Sequence, residues 1–156
     1  MRTTTHETSG GTSATTRQVL VRRGTAGLAG GLVGGVVFGL MMQAWDMIPM
    51  VAALVESDST AVGWGVHLLI SAFFGLAFAV ALGQVRTGMV GATLLGLLYG
   101  AFLWVIGPLL LMPARLGMPL FAINDMTLQS LLGHLVFGVL LGAVAGALLR
   151  TRAARP

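Results

Sequence analysis

The sequence predicts an all-α protein, a polytopic membrane four-helix bundle built by tandem duplication of a two-helix unit with short apolar outer segments. Three observations predict it. Only 9% of the 156 residues are charged and 56% are hydrophobic, with a mean hydropathy of +0.90. Four apolar runs, roughly 24–45, 62–83, 87–112 and 128–149, contain no Asp, Glu, Lys or Arg. The first and third runs, and the second and fourth, share residues at nearly one offset. A soluble chain of this size exposes most of its residues and uses about 25% charged ones. An aqueous globular enzyme is therefore excluded.

Taken in order, residues 1–18 are mostly Thr, Ser and Gly with almost no large apolar side chain. They cannot bury enough surface to offset the entropy of ordering and are expected to form a disordered cytoplasmic tail. Residues 19–150 then form one membrane domain, and 151–156 a second cytoplasmic tail. Each apolar run holds roughly 22 residues or more, about 33 Å of helix at 1.5 Å per residue, against a hydrocarbon core of about 30 Å. Backbone groups in lipid must bond within their own segment, so the runs are helices. Strand alternation is absent, which argues against a barrel. The first run is too long for a signal-peptide core and closes on no A-x-A-like site. Arg22-Arg23 resembles a twin-arginine signal, but Gly24-Thr25-Ala26 follows where large apolar residues belong. The run is expected to stay as a membrane helix.

Arginine placement sets the topology. Arg2, Arg17, Arg22 and Arg23 precede helix 1, Arg86 lies between helices 2 and 3, and Arg150, Arg152 and Arg155 follow helix 4. Four crossings put these eight on one side. The other connections, about 46–61 and 113–127, hold Asp46, Glu56, Asp58 and Asp125, with Arg115 as their one cation. The expectation is a multi-pass protein of the cell membrane with both termini cytoplasmic. Trp45 and Trp64 flank the outer boundary, as interfacial rings do. Residues 47–55 and 113–123 are apolar but too short to span. They are expected to lie in the outer interface or dip back into the bundle.

The duplication rests on residue identities. At an offset of 67, His67, Leu68 and Gly75 align with His134, Leu135 and Gly142; near 65, Gly31 and Gly35 align with Gly96 and Gly100. Pro49 falls within a residue of Pro113. A two-helix unit returns to its starting side, so the copies are parallel, with a pseudo-two-fold axis along the membrane normal. Each helix also carries small residues every four positions, hence on one face. The series are Gly27, Gly31, Gly35, Gly39; Ser71, Gly75, Ala79; Gly88, Ala92, Gly96, Gly100; and Gly138, Gly142, Gly146. Lipid gives helices no hydrophobic drive to associate, so close approach through small residues supplies the packing. In a chain with 23 Gly, composition alone also produces such matches.

His67 and His134 each stand four residues before their helix's small-residue series, at equivalent depth. An ionisable group inside the membrane is costly and marks a candidate site. The functional readings are a metal site at His67 and His134, axial haem ligation, or proton or solute handling. Met41, Met42, Met47, Met50, Met112, Met118 and Met126 lie nearby, and thioether with imidazole suits copper. The plainer reading is a ring hydrogen-bonded to a carbonyl or hydroxyl across the seam. No His-x3-His or other compact ligand spacing occurs, and Met commonly fills apolar gaps. Gln43, Asp46, Asn124, Asp125 and Gln129 cluster at the outer boundary, solvated or lining a shallow vestibule. Pro108 interrupts helix 3 and, with Gly107, forms the hinge candidate. Tyr99 and Trp104 read as packing residues.

Catalysis has no positive support, since no nucleophile–base–acid set, phosphate loop or intramembrane carboxylate pair is present. With no Cys, disulfides and thiolate sites are excluded. A pI near 11.5 would point to nucleic acid in a soluble protein. Here the arginines flank apolar runs, and no nucleic-acid partner is expected.

The motif MIPM at the end of helix 1, then GWGVHLLISAFFGLAFAVAL, LLMP and LLGHLVFGVLLGAVAGALL, resembles a family of small prokaryotic four-helix membrane proteins known as a domain of unknown function. The resemblance covers about residues 24–150. It implies the four-helix architecture and the paired His67 and His134, and it implies no activity. The leading functional expectation is a structural or accessory membrane subunit packed through Gly-rich seams, either homo-oligomeric or held in a larger membrane complex. The alternatives are a small transporter or permeation protein, and a haem- or copper-binding protein through His67 and His134.

Overall fold

The computed structural model describes residues 10–82 and 88–151. Within them the chain forms α1 (Gly10–Ala44), α2 (Ile48–Ala53), α3 (Thr60–Leu82) and α4 (Met89–Ile106). A π-helical turn (Gly107–Leu111) leads into α5 (Met112–Leu116), and α6 (Asp125–Thr151) closes the fold. No strand occurs among the described residues. Four stretches, Thr16–Ala44, Thr60–Leu82, Met89–Leu116 and Asp125–Leu149, are long and apolar enough to cross a membrane. Their surface is inverted relative to a soluble bundle: Leu69, Phe73, Val90 and Leu98 are exposed, while His67, Ser71 and Ser130 are buried. The buried polar groups are hydrogen-bonded, and exposing so many large apolar side chains costs far less against hydrocarbon than in water.

Two boundaries differ most from the sequence expectation, the starts of α3, α4 and α6 lying within three residues of it. α1 starts at Gly10, so residues 10–18 are helical rather than irregular, and 1–9 lie outside the described residues. Extending an existing helix avoids the nucleation cost, so weak formers such as Ser13, Thr15 and Thr16 can join the strong run after them. The third span continues past residue 112 to Leu116. Arg2, Arg86, Arg152 and Arg155 lie outside the described residues, as do Gly83 and Thr87.

α3 packs on α1, α1 on α6, and α6 on α4, whereas α3 and α4 barely touch. The helices therefore form an incomplete ring with a gap between α3 and α4. All three packed pairs are antiparallel: Gly27 lies against Gly75 and Ala79, Gly30 against Leu141, and Gly146 against Ala92. At the terminal end, Arg22 Nη2 donates to the Leu149 carbonyl at 3.1 Å, so the start of the first span meets the end of the fourth. At the opposite, connection end, α2 dips into the bundle. Pro49 suits its first turn, where the missing N–H has no helical partner, and Ile48, Val51 and Ala52 are buried. Gly63 makes room for it, since a Cβ there would meet Ile48. α6 opens with reciprocal capping: Thr127 N donates to Asn124 Oδ1 at 3.0 Å and Asn124 N to Thr127 Oγ1 at 2.9 Å, satisfying donors a helix start leaves free.

Candidate functional site

Glycine decides which helices close up. A Cβ on Gly31 would stand 2.5 Å from the Ser71 carbonyl oxygen, and one on Gly35 2.5 Å from the Ser71 Cβ. Gly96 and Gly138 pack backbone to backbone, as do Gly142 and Ala92, and Gly100 lies on the His134 carbonyl. Gly39 faces the Trp64 ring and His67. The sequence reading missed a second small face on α1. Gly30 and Gly34 lie against the backbone of Leu141 and Phe137, and Gly133 receives the Phe38 ring. Gly133 sits outside the four series, which is why it escaped notice.

Among the described residues no such contact joins α3 to α4. Instead Tyr99 stands between them, its hydroxyl donating to the Phe74 carbonyl at 3.1 Å and its ring 5.3 Å from that of Phe78. Towards the connection end the gap widens into a cleft of about 630 Å³. Ile70, Phe73 and Phe74 form one wall and Leu103, Ile106 and Leu111 the other, with Phe38 and Phe137 lining it from α1 and α6. Arg115 stands at the mouth and is bonded to Glu56 at 2.7 Å, tying α5 to the segment before α3. Glu56 holds a left-handed backbone (φ 59°) to make that turn.

Both histidines of the long apolar helices, His67 and His134, line this cleft. His67 Nε2 donates to the Gly35 carbonyl at 2.9 Å, across the α1–α3 seam. His134 Nδ1 donates to the Ser130 carbonyl of its own helix at 2.8 Å. A carbonyl oxygen can only accept, so these bonds place the ring hydrogens. The Phe38 ring meets both imidazoles edgewise, with centroids 5.4 Å from His67 and 4.7 Å from His134. Phe38 was not anticipated. Its nearest sequence signal is Gly133, whose missing side chain admits the ring. Among the described residues no three His, Cys, Asp or Glu groups come together as a metal cluster would require. Of the boundary polar residues, Gln43 accepts from Trp64 Nε1 at 3.1 Å and Asn124 lines the cleft.

The Gly107-Pro108 element is a π-helical turn rather than a simple kink. Pro108 has no N–H for the Trp104 carbonyl four residues back, and the register slips until Met112 N reaches the Gly107 carbonyl. Such turns concentrate at functional positions. Pro113 likewise offers nothing to the Leu109 carbonyl, which accepts instead from Phe121 N at 2.9 Å. Gly107 faces His134, where an added Cβ would sit 4.0 Å from Nε2. Gly117, left-handed at φ 68°, ends α5, as glycine commonly does after a helix.

No protein-family model, curated protein or solved structure matches this chain, so the resemblance carried by its His-Leu helices assigns neither a family nor an activity.

Proposed function

We propose that this chain is a four-span membrane protein that takes a small, mainly apolar molecule from the bilayer into the cleft between α3 and α4, as a binding or permeation protein. The observation that carries this reading is the cleft itself. It is walled by apolar side chains, lined by two imidazoles, and placed where neighbouring spans fail to close. A volume of about 630 Å³ falls within the roughly 300–1,000 Å³ of small-molecule sites. The gap faces sideways, where lipid would surround the spans.

Duplication belongs to the same reading. The contacts of Gly31 with Ser71 and Gly75 have counterparts, at offsets of about 65 and 67, in those of Gly96 with Gly138 and Gly142. The contact of Gly27 with Gly75 corresponds to that of Ala92 with Gly142. At the positions equivalent to Gly30, Gly34 and Gly133 stand Leu95, Tyr99 and Val66. The first set lets α1 close on α6, and the bulk of the second holds α3 from α4. Cytoplasmic termini in the cell membrane complete the proposal, supported by the arginine bias.

Photolabelling in phospholipid nanodiscs with an alkyl amphiphile bearing a diazirine tests the reading. Labels are expected on Ile70, Phe73 and Met118. Labelling spread evenly over Leu69, Val90 and Leu98 would overturn it. The glycine seams also support the accessory-subunit reading, which predicts co-purification with a larger complex. Two imidazoles within one cleft support the haem or copper reading, tested by a Soret band or bound copper in the purified protein.

A further inference from the structure

The geometry points to one class of occupant: an uncharged amphiphile whose head is a hydrogen-bond donor, a hydroxyl, received by His134 Nε2 inside the cleft. This rests on the binding role proposed for the cleft and specifies what binds there.

His134 Nδ1 gives its hydrogen to the Ser130 carbonyl at 2.8 Å, with Ser130 Oγ 3.4 Å away. In the neutral ring the other nitrogen is then an acceptor. Among the described residues Nε2 has no hydrogen-bond partner, yet no buried side-chain nitrogen or oxygen there lacks one, so Nε2 is open to the cleft that His134 lines. Gly107 opposite leaves its approach clear, with an added Cβ only reaching 4.0 Å. His67 repeats the pattern: Nε2 is spent on the Gly35 carbonyl, leaving Nδ1 as acceptor. The Ser71 hydroxyl donates to the His67 carbonyl at 2.8 Å, leaving its lone pairs. The Ser130 hydroxyl can only accept from the protonated Nδ1 and keeps its own hydrogen, so acceptors outnumber donors in the polar interior and a hydroxyl, which both donates and accepts, fits it.

Charge narrows the class further. Among the described residues no Asp, Glu or Lys lines the cleft, and the one cation that does, Arg115, stands at the mouth paired with Glu56. A cationic head would find no carboxylate and an anionic one only a guanidinium already engaged. The remaining lining is apolar and suits an alkyl or aryl tail. Met42, Met47, Met50, Met112, Met118 and Met126 supply adaptable walls that fit a class of tails rather than one shape.

The test compares 4-nonylphenol with its methyl ether, 4-nonylanisole, for binding to the full chain in phosphatidylcholine nanodiscs, corrected for partition into empty nanodiscs. The phenol is expected to bind about five- to tenfold tighter, the effect of one buried hydrogen bond. His134→Met should remove that preference while the tail still binds. Equal binding of phenol and ether to the unaltered protein overturns the inference and leaves the cleft reading standing. An undiminished preference in a folded His134→Met overturns His134 as the acceptor. Binding of neither compound overturns the cleft reading and this inference together. Should His134→Met not fold, the phenol-to-ether ratio of the unaltered protein decides.

Discussion

The Tyr99 hydroxyl donates to the Phe74 carbonyl at 3.1 Å, and this bond bridges α4 and α3 where the two helices otherwise barely touch. The carbonyl already serves α3, so Tyr99 adds a tie without opening that helix. At the other end of the gap the Arg115–Glu56 pair makes a second tie. The cleft lies between them.

Tyr99→Phe keeps the spacer ring and deletes the tie. A loss of about 0.6–1 kcal/mol is expected, the scale of interhelical hydrogen bonds in membrane proteins, with tail binding retained. Tyr99→Gly instead lets α3 and α4 approach and should diminish binding of an alkyl probe. Detergent-denaturation curves and probe titrations check both.

Glycine substitutions should separate by location. Gly31→Ala and Gly142→Ala push a methyl into facing backbone, at the Ser71 carbonyl and at Ala92. Backbone cannot swing aside as a side chain can, so a loss of about 1–3 kcal/mol is expected. Gly65→Ala meets nothing within 4 Å and should leave stability unchanged or slightly raised, since Ala is the better helix former. Thermal unfolding of the three variants in one detergent distinguishes them.

Pro108→Ala restores an N–H to the Trp104 carbonyl. The π turn is expected to relax to α-helix, which turns α5 relative to α4 by about one residue, roughly 100°. Stability should hold or rise while alkyl-probe binding falls, because Leu111, Met112 and Arg115 rotate away from the cleft. Unchanged binding with raised helix content would separate the turn from the site.

The Arg115–Glu56 pair is exposed, with side-chain accessibilities of 53% and 80%. Water and salt screen such a pair. Glu56→Gln should therefore cost only a few tenths of a kcal/mol at low salt and nothing measurable at about 1 M, where the Debye length is near 3 Å. A double-mutant cycle with Arg115→Gln reads the coupling.

His67→Leu leaves the Gly35 carbonyl without its cross-seam donor, and His134→Leu removes a bond made within one helix. Both variants are expected to fold. The first should lose about 1 kcal/mol and the second less, because the His67 bond joins α3 to α1 whereas the His134 bond lies within α6 and holds no two helices together. Failure of either variant to insert would contradict the plain hydrogen-bond role of that ring.

Much of this was legible in the residue order, and the limits have particular causes. A run such as 62–83 reads directly as a span because an uninterrupted apolar stretch has no stable place in water. His67 and His134 stand out because ionisable groups are rare in such runs. Phe38 was invisible because it matters through Gly133, about a hundred residues later, and only folding brings the two together. The roles of Tyr99 and of the Arg115–Glu56 pair were hidden for the same reason. The π turn was half legible: Gly107-Pro108 announced an interruption, but the carbonyl register that resolves it depends on the neighbouring backbone.

The amino-acid order by itself determined an all-helical chain with four segments able to cross a membrane, small residues spaced for close packing, and two histidines among apolar neighbours. These are local properties, set by side-chain transfer energies and helical periodicity. Which pairs of helices close, which pair stands open, and which ring nitrogens remain unbonded were decided only in three dimensions. Those outcomes depend on whether glycine or bulk faces each neighbour across the bundle, a relation between residues far apart in the chain.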